Sequence, residues 1–179
     1  MPDSITVTFD GNQYIWNGKK WFDKNTFLEP PKAIVSKLDA LSANQIAADD
    51  DAVTDLDELM KRAKQAQEHG QIQRALKLIR QVHEKSPNNV GAVAMLCSIL
   101  RTANQPEEAL SFADKFRNTN NSPLLTSRAA VLCDLNRWEE GLKQIKQVLA
   151  IGMRRGGSNS EALAVYSRIK KNAPELFDV

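Results

Sequence analysis

Residues Leu59 to Pro87 read LMKRAKQAQEHGQIQRALKLIRQVHEKSP, and the same pattern returns twice further along the chain. Gly70 aligns with Asn104, 34 residues later, and Asn104 aligns with Asn136 after another 32 residues. Around these positions, small and apolar residues fall in matching columns: Ala63, Cys97 and Ala129; Ala66, Leu100 and Leu132; Ala75, Ala109 and Gly141; Leu76, Leu110 and Leu142. A period of this length indicates a stacked helical repeat.

Each repeat is predicted to be two amphipathic helices joined by a tight turn. On both sides of the shared Gly or Asn, apolar residues recur every three or four positions, which is the spacing of one helix face. Gly70 suits the left-handed conformation that ends many helices, and Asn is the next most tolerant residue there. Small residues such as Ala75 and Ala109 would let the two helices of a repeat cross closely.

These motifs resemble the tetratricopeptide repeat (TPR). The matching features are Ala63, an apolar residue three positions later, Gly70, the Ala75-Leu76 pair, and Pro87 at the end of the repeat. The resemblance implies a mainly α protein whose fold is a right-handed α-solenoid of TPR-like helix pairs.

The resemblance covers about Thr54 to Met153, or about three repeats. A further helix, from about Ser160 to Asn172, resembles the polar capping helix that such arrays carry. The chain departs from the family at Arg62 and Arg128, where the family usually has Leu, and closing prolines are absent after repeats two and three.

Residues 1–29 follow a different pattern and predict a small three-stranded antiparallel β-meander. Asp10-Gly11 and Asn17-Gly18 are strong signals for two-residue hairpin turns. Two such turns predict the following cross-strand pairs: Val7 with Tyr14, Ile5 with Trp16, and Tyr14 with Trp21.

The aromatic face of this meander has to be covered, because so small a sheet is marginally stable alone. We favour packing on the same protein; docking on another chain, including self-association, is the alternative. Tyr14, Trp16 and Trp21 would then offer a second contact surface. The segment GKKWFDKNT also resembles the middle of a WW domain, and the aromatic pairs resemble cell-wall repeat modules.

Residues 30–53 are predicted to connect the meander to the repeat domain, which we place at 54–179. Pro30-Pro31 would precede a short helix from Ala33 to Leu41. Ser42 to Val53 is small and acidic, as is typical of a flexible linker. Thr54 is predicted to cap the first repeat helix.

Composition predicts a cytoplasmic protein, because the 179 residues contain no long apolar run and begin without the pattern of a signal peptide. The net charge of +2 divides into −3 over residues 1–53 and +5 over the remainder. Nucleic-acid binding through a C-terminal basic patch is therefore an alternative function, which added salt would weaken steeply. The patch would consist of Arg154, Arg155, Arg168, Lys170 and Lys171.

No pattern of catalytic, cofactor-binding or metal-binding residues stands out, so we expect a non-enzymatic protein. Cys97 and Cys133 are not close enough in sequence for a metal motif, and His69 and His83 suit structural roles. The acidic run at 49–51 lacks the glycine and spaced ligands of a calcium loop.

The TPR resemblance implies that the first helix of each repeat lines a concave groove that binds a peptide or helix of a partner protein. The groove residues carried over in this way are Asp57, Met60, Lys64, Gln67, Ala94, Ser98, Arg101, Thr126, Ala130 and Cys133. Met60, Ala94 and Ala130 stand where polar groups would be wanted for the clamp by which some TPR proteins hold a chaperone's acidic C-terminus. The leading hypothesis is a protein–protein adaptor or scaffold, and a secretion-type or assembly chaperone is an alternative.

Overall fold

The computed structural model describes residues 4–154 and 159–177, except for the side chains of residues 153 and 154. Strands β1 (Ile5–Phe9), β2 (Asn12–Trp16) and β3 (Trp21–Asp23) form an antiparallel sheet in that order. Eight α-helices follow within the described residues: α1 (Lys32–Asp51), α2 (Leu56–Glu68), α3 (Ile72–Lys85), α4 (Val90–Thr102), α5 (Pro106–Asp114), α6 (Ser122–Asp134), α7 (Trp138–Arg154) and α8 (Ser160–Asn172). The chain divides between Leu59 and Met60 into two compact units, which we describe separately.

In the first unit, the predicted register is right for the first hairpin. Val7 lies opposite Tyr14 and Ile5 opposite Trp16. Asp10 and Gly11 have φ values of +50° and +76°, as the two central residues of a tight hairpin turn require. Alternate residues of β1 are buried, so one face of this hairpin is apolar.

The predicted register of the second hairpin is wrong. Trp21 lies opposite Trp16 instead of Tyr14, so the loop from 17 to 20 has four residues. Asn17 Oδ1 accepts hydrogen bonds from the backbone nitrogens of Lys19 (3.0 Å) and Lys20 (2.9 Å). The Asn side chain thereby stabilises a longer loop in place of the two-residue turn.

Helix α1 covers the apolar face of the sheet, so the meander packs on its own chain. The cluster they share contains Ile5, Val7, Tyr14, Trp21 and Leu38. Trp21 is only 2% exposed, and its indole Nε1 donates a hydrogen bond to Asp39 Oδ1 at 2.8 Å. This bond satisfies the one polar atom that the buried indole carries.

The predicted flexible linker is wrong, because α1 runs for 20 residues to Asp51. The segment 42–51 contains three alanines and neither Gly nor Pro, so no residue in it breaks a helix. Ser42 is buried and Ile46 packs on the cluster, so tertiary contacts support the extension.

In the second unit, the three predicted repeat turns share one backbone conformation. Gly70, Asn104 and Asn136 have φ values of +71°, +59° and +57°. The residue after each turn donates its backbone N–H to a carbonyl five residues earlier, as Gln71 does to Ala66 at 2.8 Å. This is the Schellman ending of a helix, and it confirms the alignment of the three positions.

The helices of a repeat cross at small residues, as predicted. A methyl group added at Gly141 would lie 3.3 Å from Cys133 Sγ, so α6 and α7 approach closely there. In the preceding repeat, Cys97 Sγ donates to the Ala109 carbonyl oxygen at 3.3 Å, which marks the corresponding crossing between α4 and α5.

The first helices of successive repeats lie side by side. We call α2, α4, α6 and the additional helix α8 the A helices, and α3, α5 and α7 the B helices. Helix α4 packs against α6 and α6 against α8, while α5 and α7 each pack between two A helices. We define the A-helix face as the surface of the A helices that the B helices leave uncovered. It comprises α4, α6, α8 and the part of α2 from Met60 onward.

Side-chain caps mark where the A helices begin. Asn89, Asn121 and Asn159 each accept a hydrogen bond from the backbone nitrogen three residues later, at the starts of α4, α6 and α8. At α2 the predicted cap Thr54 is wrong, because Asp55 Oδ1 accepts from Glu58 N at 2.8 Å. Asp can form the same bond as Thr, and here it is one residue closer to the helix.

Candidate functional site

Polar side chains connect the C-terminal ends of successive A helices. Gln67 Nε2 donates to Ser98 Oγ at 3.2 Å and joins α2 to α4. Arg101 Nε donates to Asp134 Oδ2 at 2.5 Å, and Arg168 Nη1 donates to Asp134 Oδ1 at 2.5 Å. We call Arg101, Asp134 and Arg168 the arginine–aspartate cluster; it links α4, α6 and α8.

Electrostatics keep Asp134 ionised. Burial alone would raise the pKa of this carboxyl, but the hydrogen bonds and charges of Arg101 and Arg168 outweigh burial and hold the pKa below its ordinary value. The Arg168 guanidinium also lies 5.7 Å from the centre of the Trp138 ring, within the range of a cation–π contact. The cluster therefore carries two positive charges and one negative charge at neutral pH.

An open cleft of about 370 Å³ lies beside the cluster. Its wall is made mainly of polar and charged side chains, which suit a hydrogen-bonding or charged ligand group. The lining residues are Ser98, Arg101, Thr102, Asn104, Pro106, Asp134 and Arg168. Two of them, Ser98 and Arg101, are among the predicted groove residues.

Four predicted groove residues on α2 also keep exposed surface. Lys64 is exposed, and Met60 and Gln67 are partly exposed. Met60 Sδ accepts a weak hydrogen bond from Asn89 Nδ2 at 3.9 Å, between α2 and α4. Asp57 is exposed in the first turn of α2, which belongs to the first unit.

The remaining four predicted groove residues, Ala94, Thr126, Ala130 and Cys133, are buried. The expectation that they offer open groove surface is wrong, because adjacent A helices approach closely here. Ser127 Oγ donates to the Ala94 carbonyl oxygen at 3.4 Å, and Asn159 Nδ2 donates to Thr126 Oγ1 at 3.5 Å. The small side chains serve helix packing, so the open part of the A-helix face is at its C-terminal end.

The predicted second surface is also mainly internal. Tyr14 and Trp21 are buried in the cluster that α1 covers, so they are core residues of the first unit. Trp16 is partly exposed and packs on the same cluster, with its ring centre 5.6 Å from that of Trp21.

The predicted basic patch loses Arg168 to the arginine–aspartate cluster. Lys170 and Lys171 are exposed. Arg155 lies outside the described residues, and Arg154 is described only as the last residue of α7. The described residues therefore give the nucleic-acid alternative little support, because one of its three described cations is paired with Asp134 instead of standing with Lys170 and Lys171 in a common basic patch.

Both cysteines are free and buried. Burial raises the pKa of the Cys97 thiol to about 12 and raises that of Cys133, so neither is an activated thiolate. His69 Nδ1 lies 2.7 Å from the Gln65 carbonyl oxygen, and the His83 ring packs edge-on against Phe112. Both contacts are structural.

Within residues 4–154 and 159–177, no three His, Cys, Asp or Glu side chains are grouped so that they could hold a metal ion. None of the helices in that part of the chain is both long and apolar enough to cross a membrane.

Sequence reasoning missed Asp134 and assigned Arg168 to a different surface. The repeat spacing contained a signal for both, because 33 residues separate Arg101 from Asp134 and 34 separate Asp134 from Arg168. Opposite charges at the repeat period place possible ion pairs on neighbouring A helices. Thr102, Asn104 and Pro106 were missed as lining residues because the turn had been assigned only a structural role.

Comparison with known proteins agrees with this architecture. The family model for anaphase-promoting complex, cyclosome, subunit 3 (ANAPC3) matches residues 68–148. No curated protein sequence matches the chain.

Several solved TPR structures share the fold. The Sgt2 TPR domain from Aspergillus fumigatus is 13% identical with a TM-score of 0.61, over 71% of this chain and 84% of that one. The first TPR of Spaghetti (RPAP3), bound to the HSP90 peptide SRMEEVD, is 18% identical with a TM-score of 0.56, over 65% and 90%. The second TPR domain of human RPAP3, in complex with the HSP70 peptide SGPTIEEVD, is 18% identical with a TM-score of 0.54, over 64% and 93%.

At these identities the likeness establishes the fold and nothing finer. The chain is a TPR-like repeat protein, with about three helix-pair repeats and one further helix, preceded by a three-stranded antiparallel sheet.

Proposed function

We propose that this chain is a non-enzymatic adaptor that binds a peptide or helix of a partner protein on its A-helix face. The observation that carries the proposal is the open polar cleft of about 370 Å³ at the C-terminal ends of the A helices. A repeat array exposes a long, rigid surface from successive equivalent helices, which suits recognition of an extended partner segment.

The solved relatives support this class of function. The RPAP3 domains similar to this chain are bound to peptides of HSP90 and HSP70. We transfer to this chain only the binding of a peptide segment, and we do not transfer the identity of the peptide.

The side chains favour a different contact from a clamp around a free C-terminus. Met60 stands on α2 where a polar clamp residue would be wanted, and Ala94 and Ala130 are buried between helices. Lys64 is exposed and Arg101 is partly exposed, and both lie toward the C-terminal ends of α2 and α4. We therefore assign binding to that end of the A-helix face.

Thr102→Trp tests the adaptor proposal. Thr102 is exposed and lines the cleft, so an indole there should fill the space while unfolding free energy changes by no more than about 0.5 kcal/mol. Proteins captured from a cell extract by the wild-type chain are identified, purified and titrated against each variant. We expect the variant to bind its partner at least about tenfold more weakly.

Ser111→Trp is the matched control. Ser111 is an exposed small hydroxyl residue on the B helix α5, and its Oγ donates to the Glu108 carbonyl oxygen as that of Thr102 does to Ser98. Binding should be unchanged in this control. Equal affinity of both variants, with both folded, would contradict assignment of the binding site to the cleft.

A further inference from the structure

The arginine–aspartate cluster presents excess positive charge to the cleft. The Arg101 and Arg168 side chains are 27% and 40% exposed, against 23% for Asp134. Asp134 accepts from Nε and Nη2 of Arg101 and from Nη1 of Arg168. Each guanidinium carries five N–H donors, so Asp134 takes fewer than half of the ten that the two arginines offer.

The two arginines are held in place before any ligand arrives. Asp134 fixes Arg101 and Arg168 across two helix–helix contacts, and the Trp138 ring supports the Arg168 guanidinium. Arginine normally loses considerable side-chain entropy when it is ordered on binding, and that loss is smaller for a guanidinium that is already fixed.

The size of the cleft limits the ligand. Small-molecule sites occupy about 300–1,000 Å³, so about 370 Å³ is near the lower bound. Such a space holds one or two side chains of a partner, whereas a whole helix would have to lie outside it.

We propose that Arg101 and Arg168 together bind the carboxylate of an aspartate or glutamate side chain within a partner segment. A planar guanidinium matches the two oxygens of a carboxylate, and a second carboxylate beside Asp134 would bring the cluster to neutrality. This inference names the chemistry of the partner at the cleft and so rests on the proposed function.

The test uses the full chain, ¹⁵N-labelled, and observes the Nε–H resonances of Arg101 and Arg168. The probe is an acetylated and amidated peptide of alternating glycine and glutamate, which has no free terminal carboxylate. The same peptide with glutamine in place of glutamate, and inorganic phosphate, are titrated in parallel. We expect both resonances to shift with the glutamate peptide, with a dissociation constant of about 1 mM, and not with the glutamine peptide.

Arg168→Gln should weaken binding of the glutamate peptide about tenfold, the equivalent of about 1.4 kcal/mol for one lost charge-assisted contact. Arg168→Lys keeps the charge without the planar fork and should weaken it by a smaller factor; it replaces Arg168→Gln if that variant is unfolded. Arg80→Gln is the matched control, because Arg80 pairs with Glu108 at 2.8 Å on the B helices. It should leave binding unchanged.

Four results would overturn the inference: unshifted arginine resonances, equal shifts with the glutamine peptide, unchanged affinity in both Arg168 variants, or tighter binding of phosphate than of peptide. The last would assign the cleft to a phosphate group instead. If any of these results were found while Thr102→Trp still lost partner binding, the adaptor proposal would stand. Only the inference that the cleft binds an acidic side chain would be rejected.

Discussion

The two units differ in how reliably a turn motif predicts the backbone. In the repeat unit, Gly70, Asn104 and Asn136 occupy equivalent positions and adopt the same left-handed conformation. In the first unit, Asp10-Gly11 forms the predicted tight turn, whereas the similar dipeptide at Asn17 forms a four-residue loop. A signal that recurs at a fixed period is constrained by its neighbours in every copy, whereas a single dipeptide is compatible with several loop lengths.

The first unit should be the more fragile one. Trp21→Ala removes its largest buried side chain together with the bond to Asp39. We expect the unfolding free energy to fall by about 3–5 kcal/mol. A unit of this size has about that much stability in total, so amide hydrogen exchange should show loss of protection in β2.

Trp21→Phe is the control for this change. It keeps most of the apolar volume and deletes the indole donor, so the loss should be about 1–2 kcal/mol. If Trp21→Ala were no more damaging than Trp21→Phe, burial of the ring would contribute little and the cluster around Leu38 would not be the core of this unit.

The repeat unit should be most sensitive where its helices cross. Ala109 is fully buried where α4 and α5 approach, so Ala109→Phe should overpack the crossing at a cost of up to about 3 kcal/mol. Ser111→Phe adds the same ring at an exposed position of α5 and should cost about 0.5 kcal/mol or less. Equal urea midpoints for the two variants would show that Ala109 is not at a helix crossing.

The sequence was sufficient to predict the repeats, their turns and the small residues at helix crossings, because each feature is encoded locally and recurs. It was also sufficient to predict the first hairpin, because the turn at Asp10-Gly11 is encoded by those two adjacent residues. It was not sufficient for α1, whose final turns depend on packing of Ser42 and Ile46. The bond from Trp21 to Asp39 likewise joins two elements that no local pattern relates.

Prediction of the candidate site was less complete, because exposure depends on how closely neighbouring helices approach. Ala94 and Ala130 are at the expected positions along the A helices, but the A helices pack closely enough to bury them. The cleft depends on Asp134 and Arg168, which come together from α6 and α8. A periodic alignment gives the position on a helix and leaves the distance to the next helix undetermined.

Asp134 offers a pH-dependent test in the repeat unit. Asp134→Asn leaves Arg101 and Arg168 facing each other, and we expect a loss of about 1.5 kcal/mol at pH 7. Because the pKa of folded Asp134 is below its ordinary value of 3.8, its contribution is complete above about pH 4 and is lost as the pH falls further. Urea unfolding at pH 7, 5 and 3 should therefore show the gap between wild type and variant narrowing at pH 3, and a constant gap would contradict this.

The smallest expected change in stability comes from a backbone conformation that occurs in both units. Phe27 and Asn104 have nearly the same φ, +56° and +59°, although a bulky residue is strained there and Asn is not. Phe27 is 74% exposed, and its backbone N–H donates to the Asp23 carbonyl oxygen at 2.8 Å, so the turn and not the ring holds the conformation.

Relief of strain at Phe27 should gain about 1–2 kcal/mol, while the extra freedom of glycine in the unfolded chain costs about 0.5–1 kcal/mol. Phe27→Gly should therefore stabilise the first unit by about 0.5–1 kcal/mol, whereas Asn104→Gly should change the repeat unit by only a few tenths of a kcal/mol. Hydrogen exchange of β2 and α4 amides measures the two units separately, and a gain at Asn104 equal to that at Phe27 would show that both residues carry the same strain.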